Sequence, residues 1–350
     1  MRFGTVALVG RTNVGKSTLL NAALGEPLAI TSPLPQTTRD ALLGVVRRGT
    51  TQIAFLDTPG LHRPRTELGR RMNAAAYESA RSADLIVMMT DVWSKPPKEQ
   101  RASPGGGPLD NPWIRPGDRE ILETLASFAP GPRILVINKV DLVRDKAHLL
   151  PQLDAYANAQ DFEAFIPMSV RRTDGVDTAL DEIARLLPEG PAGFDEDTLT
   201  NRPVLFFVRE YVREAILNQL QREVPHAVAV SIDAAEESAQ LLSLAVTIHV
   251  EKVGQRKILV GHGGEQIKAI GVAARQRIES LVDKQVYLKL FVRLTPHWKD
   301  MPRQLAQMGY DPAQGIVAPQ LPRGDDDLPR SDDADLLRSD DADAPETDPS

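Results

Sequence analysis

A glycine-rich stretch near the start of the chain, GRTNVGKS at residues 10–17, has the residue types and spacing of a phosphate-binding loop. A short apolar run precedes it and a helical pattern follows it. Glycines let successive backbone N–H groups turn towards phosphate oxygens, and the first turn of the following helix favours negative charge. We therefore expect Lys16 to reach the β- and γ-phosphates of a nucleotide and Ser17 to ligate Mg²⁺. The ordinary alternative for Lys16 is a solvated surface lysine.

The motif DTPG follows the next predicted strand and is expected to face the same phosphates. Asp57 can hold the magnesium shell, and Gly60 can give its N–H to a γ-phosphate. Taken alone, DTPG is a common turn. Its position after a strand, downstream of the phosphate loop, makes the nucleotide interpretation stronger than the turn interpretation.

The motif NKVD is predicted to select the base. Asp141 can accept hydrogen bonds from N1–H and the exocyclic amine of guanine, donors that adenine lacks, so the carboxylate specifies GTP. Asn138 can bond the base, Lys139 can lay its stem over the ring, and Ser169 begins a base-contact loop, SVRR. The predicted nucleotide contacts are Gly10, Arg11, Thr12, Asn13, Val14, Gly15, Lys16, Ser17, Thr18, Asp57, Thr58, Pro59, Gly60, Asn138, Lys139, Asp141, Ser169, Val170 and Arg171.

The elements that must position these motifs are predicted as buried strands alternating with helices. Near-continuous apolar runs predict strands at residues 5–9, 53–57, 85–91, 133–138 and 165–169. Helical patterns lie between them, at residues 16–24, 67–81 and 176–187. Parallel strands that are covered on both faces have such continuous runs, so the order predicts an α/β fold with a mostly parallel, doubly wound sheet.

The 350 residues are predicted to form two domains. Helix 205–220, strands 227–233 and 244–252, helix 265–282 and strand 286–294 predict that the second is α+β. We expect a nucleotide domain at 1–188 with a mobile, Pro/Gly-rich insertion at 94–118, a linker at 189–203, a second domain at 204–312 and a disordered acidic tail at 313–350.

The charges of the chain are divided unevenly, although the total is only −7. Residues 324–350 carry eleven acidic and two basic residues, whereas residues 241–310 carry eleven basic and five acidic residues. A basic module of this kind points towards nucleic acid, with an ordinary solvated surface as the alternative. The absence of cysteine excludes disulfides, thiolate zinc sites and a cysteine nucleophile, and fits a cytoplasmic protein. No apolar stretch is long enough to predict a membrane span.

A second glycine loop, GHGG at residues 261–264, lies in this basic module. It lacks the Gly-Lys-Ser/Thr of a nucleotide loop, but its G-x-x-G form between helical turns lets a nucleic-acid backbone approach closely, as in KH domains. By itself G-x-x-G is a weak signal. Apolar residues at Ile258, Val260, Ile267 and Ile270 are expected to form a groove floor. The predicted RNA contacts are Lys257, Gly261, His262, Gly263, Gly264, Lys268, Arg275 and Arg277.

The nucleotide motifs together resemble those of the translation-factor-like GTPases. PQTTRD at residues 35–40 matches their first switch, and the resemblance implies that Thr38 closes on Mg²⁺ when GTP is bound. Leu61 stands where Ras-like proteins carry glutamine, a pattern similar to the subset whose hydrolysis is assisted by K⁺. In that subset an asparagine matching Asn13 contributes to the ion site, although Asn13 could instead stabilise the loop turn. The implied catalytic residues are Lys16, Thr38, Gly60 and Asn13, and the implied metal ligands are Ser17, Thr38 and Asp57.

Over nearly all of residues 1–311 the chain resembles the Era-like GTPases, a bacterial family with a C-terminal type II KH domain. The matching stretches are GRTNVGKS, PQTTRD, DTPGLH, NKVD, RPVLFFVREYVREAIL, GQRKILVGHGGEQIKAIG and WKDMPRQLAQMGYD. The resemblance implies GTP/GDP and Mg²⁺ as ligands, binding to the 3′ end of 16S ribosomal RNA, and assistance in maturation of the 30S subunit. It implies a monomer in the cytoplasm and leaves open peripheral contact with the inner face of the cell membrane. Two residues depart from the family pattern, His262 for lysine and Val170 for alanine.

Three functions remain to be separated. The first is a regulatory GTPase that binds ribosomal RNA, which the basic charge and the GHGG loop favour. The second is a GTPase that acts through protein or membrane contacts. The third is an RNA-binding protein with an inactive nucleotide site, against which the intact nucleotide motifs argue.

Overall fold

The first half of the chain builds a six-stranded sheet whose strands alternate with helices. The structure is a computed structural model that describes residues 1–93, 107–127, 131–220 and 224–310. The strands are β1 (Arg2–Gly10), β2 (Leu42–Arg48), β3 (Thr51–Asp57), β4 (Leu85–Asp91), β5 (Arg133–Asn138) and β6 (Ala164–Pro167). The helices are α1 (Lys16–Leu24), α2 (Glu67–Ser82), α3 (Pro116–Ala126), α4 (Leu150–Ala159) and α5 (Val176–Leu186).

The strand order β2-β3-β1-β4-β5-β6 brings the carboxyl ends of the parallel strands to one edge of the sheet. All neighbouring pairs except β2–β3 are parallel. The register places Leu8 opposite Asp57, and Asp91 opposite Asn138. The phosphate loop, DTPG and NKVD therefore meet at this edge, where ligands bind in open α/β sheets. The predicted α/β class, with a mostly parallel and doubly wound sheet, is confirmed.

Strand β2, which the apolar runs do not predict, is an antiparallel edge strand. Its sequence LLGVVRR ends in Arg47 and Arg48, which form ion pairs with Glu196 and Asp181 at the rim of the sheet. Its apolar run, ALLGVV at residues 41–46, is as long as those of the other strands, but Gly44 interrupts it and two arginines follow it, so it lacks the continuous apolar pattern of a buried parallel strand.

The prediction of a mobile insertion at residues 94–118 is wrong at its C-terminal end. Residues 108–110 form a short 3₁₀ helix, α3 begins at Pro116, and the side chains of Ile114 and Asp118 are fully buried. Because this stretch is rich in Pro and Gly, its sequence pattern does not predict that Ile114 and Asp118 are buried. Residues 94–106 and the predicted acidic tail lie outside the described residues.

The second half of the chain forms a three-stranded sheet covered on one face by helices. Its elements are α6 (Val204–Gln219), β7 (Ala229–Glu237), β8 (Leu241–Val250), α7 (Val253–Val260), α8 (Glu265–Val282), β9 (Gln285–Leu294) and α9 (Pro302–Gln307). Strand β8 pairs antiparallel with β7 and parallel with β9. The alternate apolar residues of β8 are buried, namely Leu242, Leu244, Val246, Ile248 and Val250. This burial with period two confirms the α+β prediction; the exact domain boundaries stay a prediction.

Helix α2 of the first sheet packs against the C-terminal elements of the second half. Leu68 and Met72 of α2 lie in one apolar cluster with Trp298, Leu305 and other residues that follow the second sheet. The two halves are therefore joined by a buried contact as well as by the connecting segment. Among the described residues, no helix has the length and hydropathy needed to cross a membrane.

Candidate functional site

The phosphate loop joins β1 to α1 in a conformation that glycine makes possible. Gly15 has a φ of 109°, and a Cβ there would collide with the side-chain amide of Asn138. Asn13 also has a positive φ, 62°, and its carbonyl oxygen accepts a hydrogen bond from Lys139 Nζ at 2.7 Å. The loop is thereby closed against the base-selecting motif, and a side chain at position 15 would push the two apart.

Lys16 lies beneath the loop with only 6% of its surface exposed. Its Nζ donates to the carbonyl oxygens of Gly10 and Arg11, each at 3.1 Å. Burial lowers the pKa of this ammonium to about 8, and the nearby carboxylate of Asp57 opposes that shift. A positive charge held in a dry loop gains much from an anion, so Lys16 has the environment of a phosphate ligand.

Three side-chain oxygens form a compact cluster beside Lys16. Ser17 Oγ donates to Asp57 Oδ2 at 2.6 Å and lies 2.8 Å from Thr38 Oγ1. Burial raises the pKa of Asp57 to about 6, while Lys16 and the hydroxyl of Ser17 oppose the shift. The other carboxylate oxygen, Oδ1, is buried and has no hydrogen-bond partner among the described residues. Hard oxygen ligands around an unpartnered buried oxygen fit Mg²⁺, which Ser17, Thr38 and Asp57 would hold.

The DTPG turn lies against the phosphate loop. A Cβ at Gly60 would stand 2.6 Å from the Cα of Thr12, so only glycine permits this approach. The side chain of the following residue, Leu61, is buried in the core beneath the sheet, and its N–H donates to the carbonyl oxygen of Gly10 at 3.0 Å. Position 61 therefore supplies a packing residue, and its side chain cannot orient a water molecule at the γ-phosphate.

The base-selecting residues follow β5 and β6. Asp141 Oδ1 accepts a hydrogen bond from Ser169 Oγ at 2.6 Å, and this bond lowers the pKa of Asp141, which keeps it an ionised acceptor. Asn138 is buried between the two loops: its Nδ2 donates to the carbonyl oxygen of Val14 at 2.8 Å, and its Oδ1 accepts from the N–H of Val170 at 3.0 Å. Ser169 and Asn138 thus position Asp141 and the loops, a role that the motif analysis does not assign to them.

These loops enclose a pocket of about 490 Å³, which is within the range of small-molecule sites. Most predicted contacts line it, namely Thr12, Asn13, Gly15, Lys16, Ser17, Thr18, Thr38, Gly60, Asn138, Lys139, Asp141, Ser169, Val170 and Arg171. Residues of the segment that precedes Thr38, from Ile30 to Thr37, complete the wall. Gly10, Arg11, Val14, Asp57, Thr58 and Pro59 support the pocket from behind and are not among its lining residues.

Arg11 holds the phosphate loop in place through contacts that the spacing of the motifs does not predict. Its guanidinium turns away from the pocket and donates to Asp91 at 2.6 Å and to the buried Asp118 at 2.8 Å. Asp91 also forms an ion pair with Lys139 at 3.2 Å. The two carboxylates therefore fix the phosphate loop relative to the base-selecting motif. Asp91 could have been found from its place at the carboxyl end of a parallel strand, but the contact of Asp118 is purely tertiary.

The GHGG loop connects α7 to α8 and has the backbone that its glycines predict. Gly261, Gly263 and Gly264 have φ values of 75°, 57° and 86°. A Cβ at Gly261 would lie 2.7 Å from the Cβ of Gln266, whereas a Cβ at Gly263 or Gly264 would meet no protein atom within 4 Å. The outer side of the loop is therefore open to a ligand backbone. His262 is exposed there.

The predicted cations divide into available and engaged side chains. Lys257 and Lys268 are exposed and available. Arg275 is also exposed and shares one face of α8 with Lys268, but it lies 3.9 Å from Glu279 on the same helix. The prediction that Arg277 is an RNA contact is not supported by its surroundings. Its guanidinium lies 4.6 Å from the ring centroid of Tyr211 and 3.4 Å from Glu214, so it fastens α8 to α6.

The predicted apolar groove floor is only partly present. Ile270 is fully buried in the core, where it contributes to packing and not to a surface. Ile258 is half exposed on α7, and Val260 and Ile267 are partly exposed beside the glycine loop. The groove is thus lined by three of the four predicted residues at most, because the helical period turns Ile270 inward.

Comparison with protein families gives two matches. The family described as 50S ribosome-binding GTPase matches residues 5–139, and the KH domain family matches residues 223–299.

Curated relatives match nearly the whole chain. GTPase Era of Geotalea uraniireducens (strain Rf4) is 39% identical over 311 residues, which are 89% of this chain and 98% of the relative. GTPase Era of Geobacter sp. (strain M21) is 40% identical over 311 residues, which are 89% and 98% of the two chains. GTPase Era of Ruminiclostridium cellulolyticum is 37% identical over 308 residues, with coverage of 88% and 97%.

Two solved structures share the fold. One is Era in complex with MgGDPNP and nucleotides 1506–1542 of 16S ribosomal RNA, and the other is a point variant of Aquifex aeolicus Era bound to GDP·AlF4⁻. Each has a TM-score of 0.79 and 34% identity, and each match covers 89% of this chain and 99% of the solved chain.

Proposed function

The chain belongs to the GTPase Era family, and on that premise we propose that it is a guanine-nucleotide switch that binds the 3′ end of 16S ribosomal RNA. The family match makes it a GTPase, and the KH match over residues 223–299 identifies its second domain. A relative with 34% identity forms a complex with MgGDPNP and nucleotides 1506–1542 of that RNA, which supports the choice of RNA.

Hydrolysis requires that the γ-phosphate be held where charge develops in the transition state. Lys16 and the N–H of Gly60 would bind it, and Thr38 of the first switch would approach it, since all three residues line the pocket. Bound Mg²⁺ would neutralise phosphate charge. Because Leu61 is buried, the attacking water lacks a side-chain partner at that position. The cluster of Ser17, Thr38 and Asp57 carries the nucleotide part of the proposal.

The first switch, residues 35–40, is hydrogen-bonded directly to the second domain. This observation is the main support for the proposal that the bound nucleotide controls RNA binding. Thr38 stands between two residues that the second domain holds. The carbonyl oxygen of Thr37 accepts from Arg213 of α6, and Arg39 is buried and donates to the carbonyl oxygen of Val228 at 2.6 Å. A movement of Thr38 towards or away from Mg²⁺ must therefore displace contacts of the RNA-binding domain or strain the switch.

A buried ion pair strengthens this link. Asp40 pairs with Arg209 of α6 at 2.8 Å; Arg209 is buried, and the side chain of Asp40 is only 13% exposed. Arg209 also donates to the carbonyl oxygen of Met308 at 3.1 Å. Removing one partner of such a pair leaves a buried charge, at a cost of about 3–5 kcal/mol. The ion pair therefore adds a contact between the first switch and the RNA-binding domain that is costly to break, so a change in one should affect the other.

We further propose that this RNA binding assists maturation of the 30S subunit, and that the protein acts as a monomer in the cytoplasm. Contact with the inner face of the membrane is a separate proposal, which rests on the family resemblance. It would be tested by fractionation of cells, in which membrane contact predicts that part of the protein sediments with the envelope.

The proposed function is tested by binding of the full chain to an oligonucleotide of the 16S 3′ end. We expect submicromolar binding with GDPNP and Mg²⁺, weaker binding with GDP, and little binding to a scrambled RNA of equal length. Equal binding of both sequences in both nucleotide states would instead favour a GTPase that acts through protein or membrane contacts.

We propose K⁺ as an additional ligand near Asn13. Its Nδ2 donates to the carbonyl oxygen of Pro33, two residues before the first switch, at 2.8 Å, and its Oδ1 accepts no hydrogen bond from the residues that the structure describes. An amide oxygen at the mouth of the phosphate site suits a large monovalent cation. The same hydrogen bond also supports the alternative, in which Asn13 only stabilises the loop.

GTP turnover is expected to be slow and to increase, by about tenfold, when K⁺ replaces Na⁺. The reason is that Leu61 provides no group to position water, so a cation beside the phosphates gains importance. Steady-state phosphate release in the two chlorides at one ionic strength measures the effect. The Asn13→Ala chain should lose the difference between the salts. If the parent chain has equal rates in both salts, the potassium proposal fails.

A further inference from the structure

The three-stranded sheet has an uncovered face that carries large aromatic side chains. Tyr287 and Phe291 on β9 are 54% and 52% exposed. Lys289 and Arg293 are exposed at the alternating positions of the same strand. Successive residues of a strand point to opposite faces, so these four side chains share one face, which we call the β9 platform.

The β9 platform is not needed to cover the core of its own domain. The intervening residues Leu288, Leu290 and Val292 turn to the other face, where α7 and α8 pack against the strand. On the neighbouring strand β8, Tyr287 stands opposite Ser243 and Lys289 opposite Ala245. The partner of Phe291 on β8 is Thr247, and with such short neighbours about half of each aromatic residue is left exposed.

The charges of the platform favour an anionic ligand. Lys289 Nζ lies 5.4 Å from the ring centroid of Tyr287. In the described parts of the chain, no carboxylate lies within ion-pair distance of Lys289 or Arg293. The acidic residues of the far strand β7 are partly engaged, since Asp233 accepts from Thr247 at 2.5 Å and Glu237 pairs with Lys284. Positive charge is thus free along β9, and the carboxylate that comes nearest to it, Asp233 at the edge of the platform, is bonded to Thr247.

The platform is continuous with the surface that leads to the GHGG loop. A cleft of about 420 Å³ is lined by Arg256 of α7, by Phe291 and Arg293 of β9, and by Asp233 of β7, whose carboxylate accepts a hydrogen bond from Thr247. Helix α7 runs from this cleft to the glycine loop. A single strand held by the loop can therefore extend past Arg256 onto the platform, along a cleft in which Arg256 and Arg293 outnumber the one carboxylate, Asp233.

We propose that the β9 platform is a second RNA-binding surface, on which unpaired bases stack against Tyr287 and Phe291 while Lys289, Arg293 and Arg256 bind phosphates. Exposed aromatic rings on an open sheet, interleaved with basic residues, suit single-stranded RNA because every base has a face that stacks. The inference deepens the proposed function, since it extends the RNA contact beyond the glycine loop.

The test uses the full chain with GDPNP and oligonucleotides of increasing length, from about 6 to about 16 nucleotides, that share the part of the 16S 3′ end bound by the loop. In the parent chain, affinity should rise with length. Tyr287→Ala with Phe291→Ala should weaken the longest RNA by about 10- to 100-fold and leave the shortest unchanged, because each stacked base contributes a separate part of the affinity. The matched control, Tyr287→Phe with Phe291→Trp, keeps two rings and should bind like the parent.

Other occupants give different outcomes. An unchanged length dependence in the double Ala chain overturns the proposal. A loss of binding to vesicles of anionic lipid, without a loss of long RNA, assigns the platform to a membrane instead. If the parent chain binds neither short nor long RNA, the proposed function itself fails.

Discussion

A chain in which Asp replaces both Gly263 and Gly264 is expected to lose RNA binding while it keeps its affinity for GTP. Both glycines have positive φ, 57° and 86°, which costs a side chain about 1 kcal/mol each. A new Cβ meets no protein atom within 4 Å, so it projects to the outer side, where an RNA backbone would approach. The two carboxylates also repel phosphates. We expect a loss of at least about 100-fold, measured by fluorescence anisotropy with a 16S 3′ oligonucleotide.

The opposite change at the same loop provides a matched control. His262 is exposed, and His262→Lys adds one positive charge, so it should tighten RNA binding severalfold and steepen its salt dependence. Nucleotide affinity should be the same in the parent and in both variants, because the phosphate loop is held by contacts within the first domain. If the double Asp chain folds and binds the RNA as tightly as the parent, the GHGG loop is only a turn between α7 and α8.

Asp141→Asn is expected to move the nucleotide preference from guanine to xanthine. The ionised carboxylate is a pure acceptor that suits the two donors of guanine, whereas an amide also donates and suits the additional carbonyl group of xanthine. Hydrogen bonds to charged groups contribute about 1.5–3 kcal/mol each, so loss of two should weaken GTP binding by about 100-fold or more. Competition of GTP and XTP for the variant and the parent measures the change.

Ser169→Ala separates positioning from recognition. Its hydroxyl donates to Asp141 at 2.6 Å, and loss of that single bond should weaken GTP several-fold without favouring XTP. An Asp141→Asn chain that still prefers GTP would show that another group reads the base. A Ser169→Ala chain that gains XTP binding would show that the serine, too, contacts the base directly.

The nucleotide site was predictable from sequence because its motifs stand directly after strands. Continuous apolar runs indicate parallel strands, and the residues that follow them must share one edge, so Lys16, Asp57 and Asp141 could be assigned to one edge of the sheet before any contact was known. The helix over 265–282 was likewise predictable from its period, and it spans Glu265–Val282 in the structure.

Contacts between distant segments were not predictable in this way. Arg277 has the charge and position of an RNA ligand, but Glu214 and the ring of Tyr211 hold it against α6. Asp118 stands within a Pro- and Gly-rich stretch, yet it is buried because Arg11, Thr90 and Tyr156 all donate to it. A buried carboxylate depends on partners far along the chain, and no local pattern encodes them.

The coupling of the two domains likewise depends on contacts between distant segments, which the sequence pattern does not predict. PQTTRD identifies a switch, but the sequence does not show that Arg39 is buried between the two halves of the molecule and bonded to Val228. In the sequence this arginine is one charged residue in a polar loop. Its importance comes from the aromatic rings of Trp298 and Tyr310, whose centroids lie 5.7 and 6.0 Å from its guanidinium carbon.

Crosslinking in living cells, followed by sequencing of the bound RNA, tests the central claim most directly. The parent chain is expected to recover reads concentrated at the 3′ end of 16S ribosomal RNA, and the chain with Asp at positions 263 and 264 should lose that peak at equal abundance. Reads spread evenly over cellular RNA, or a 16S peak that the double Asp chain retains, would contradict a GTPase that binds this RNA through its GHGG loop.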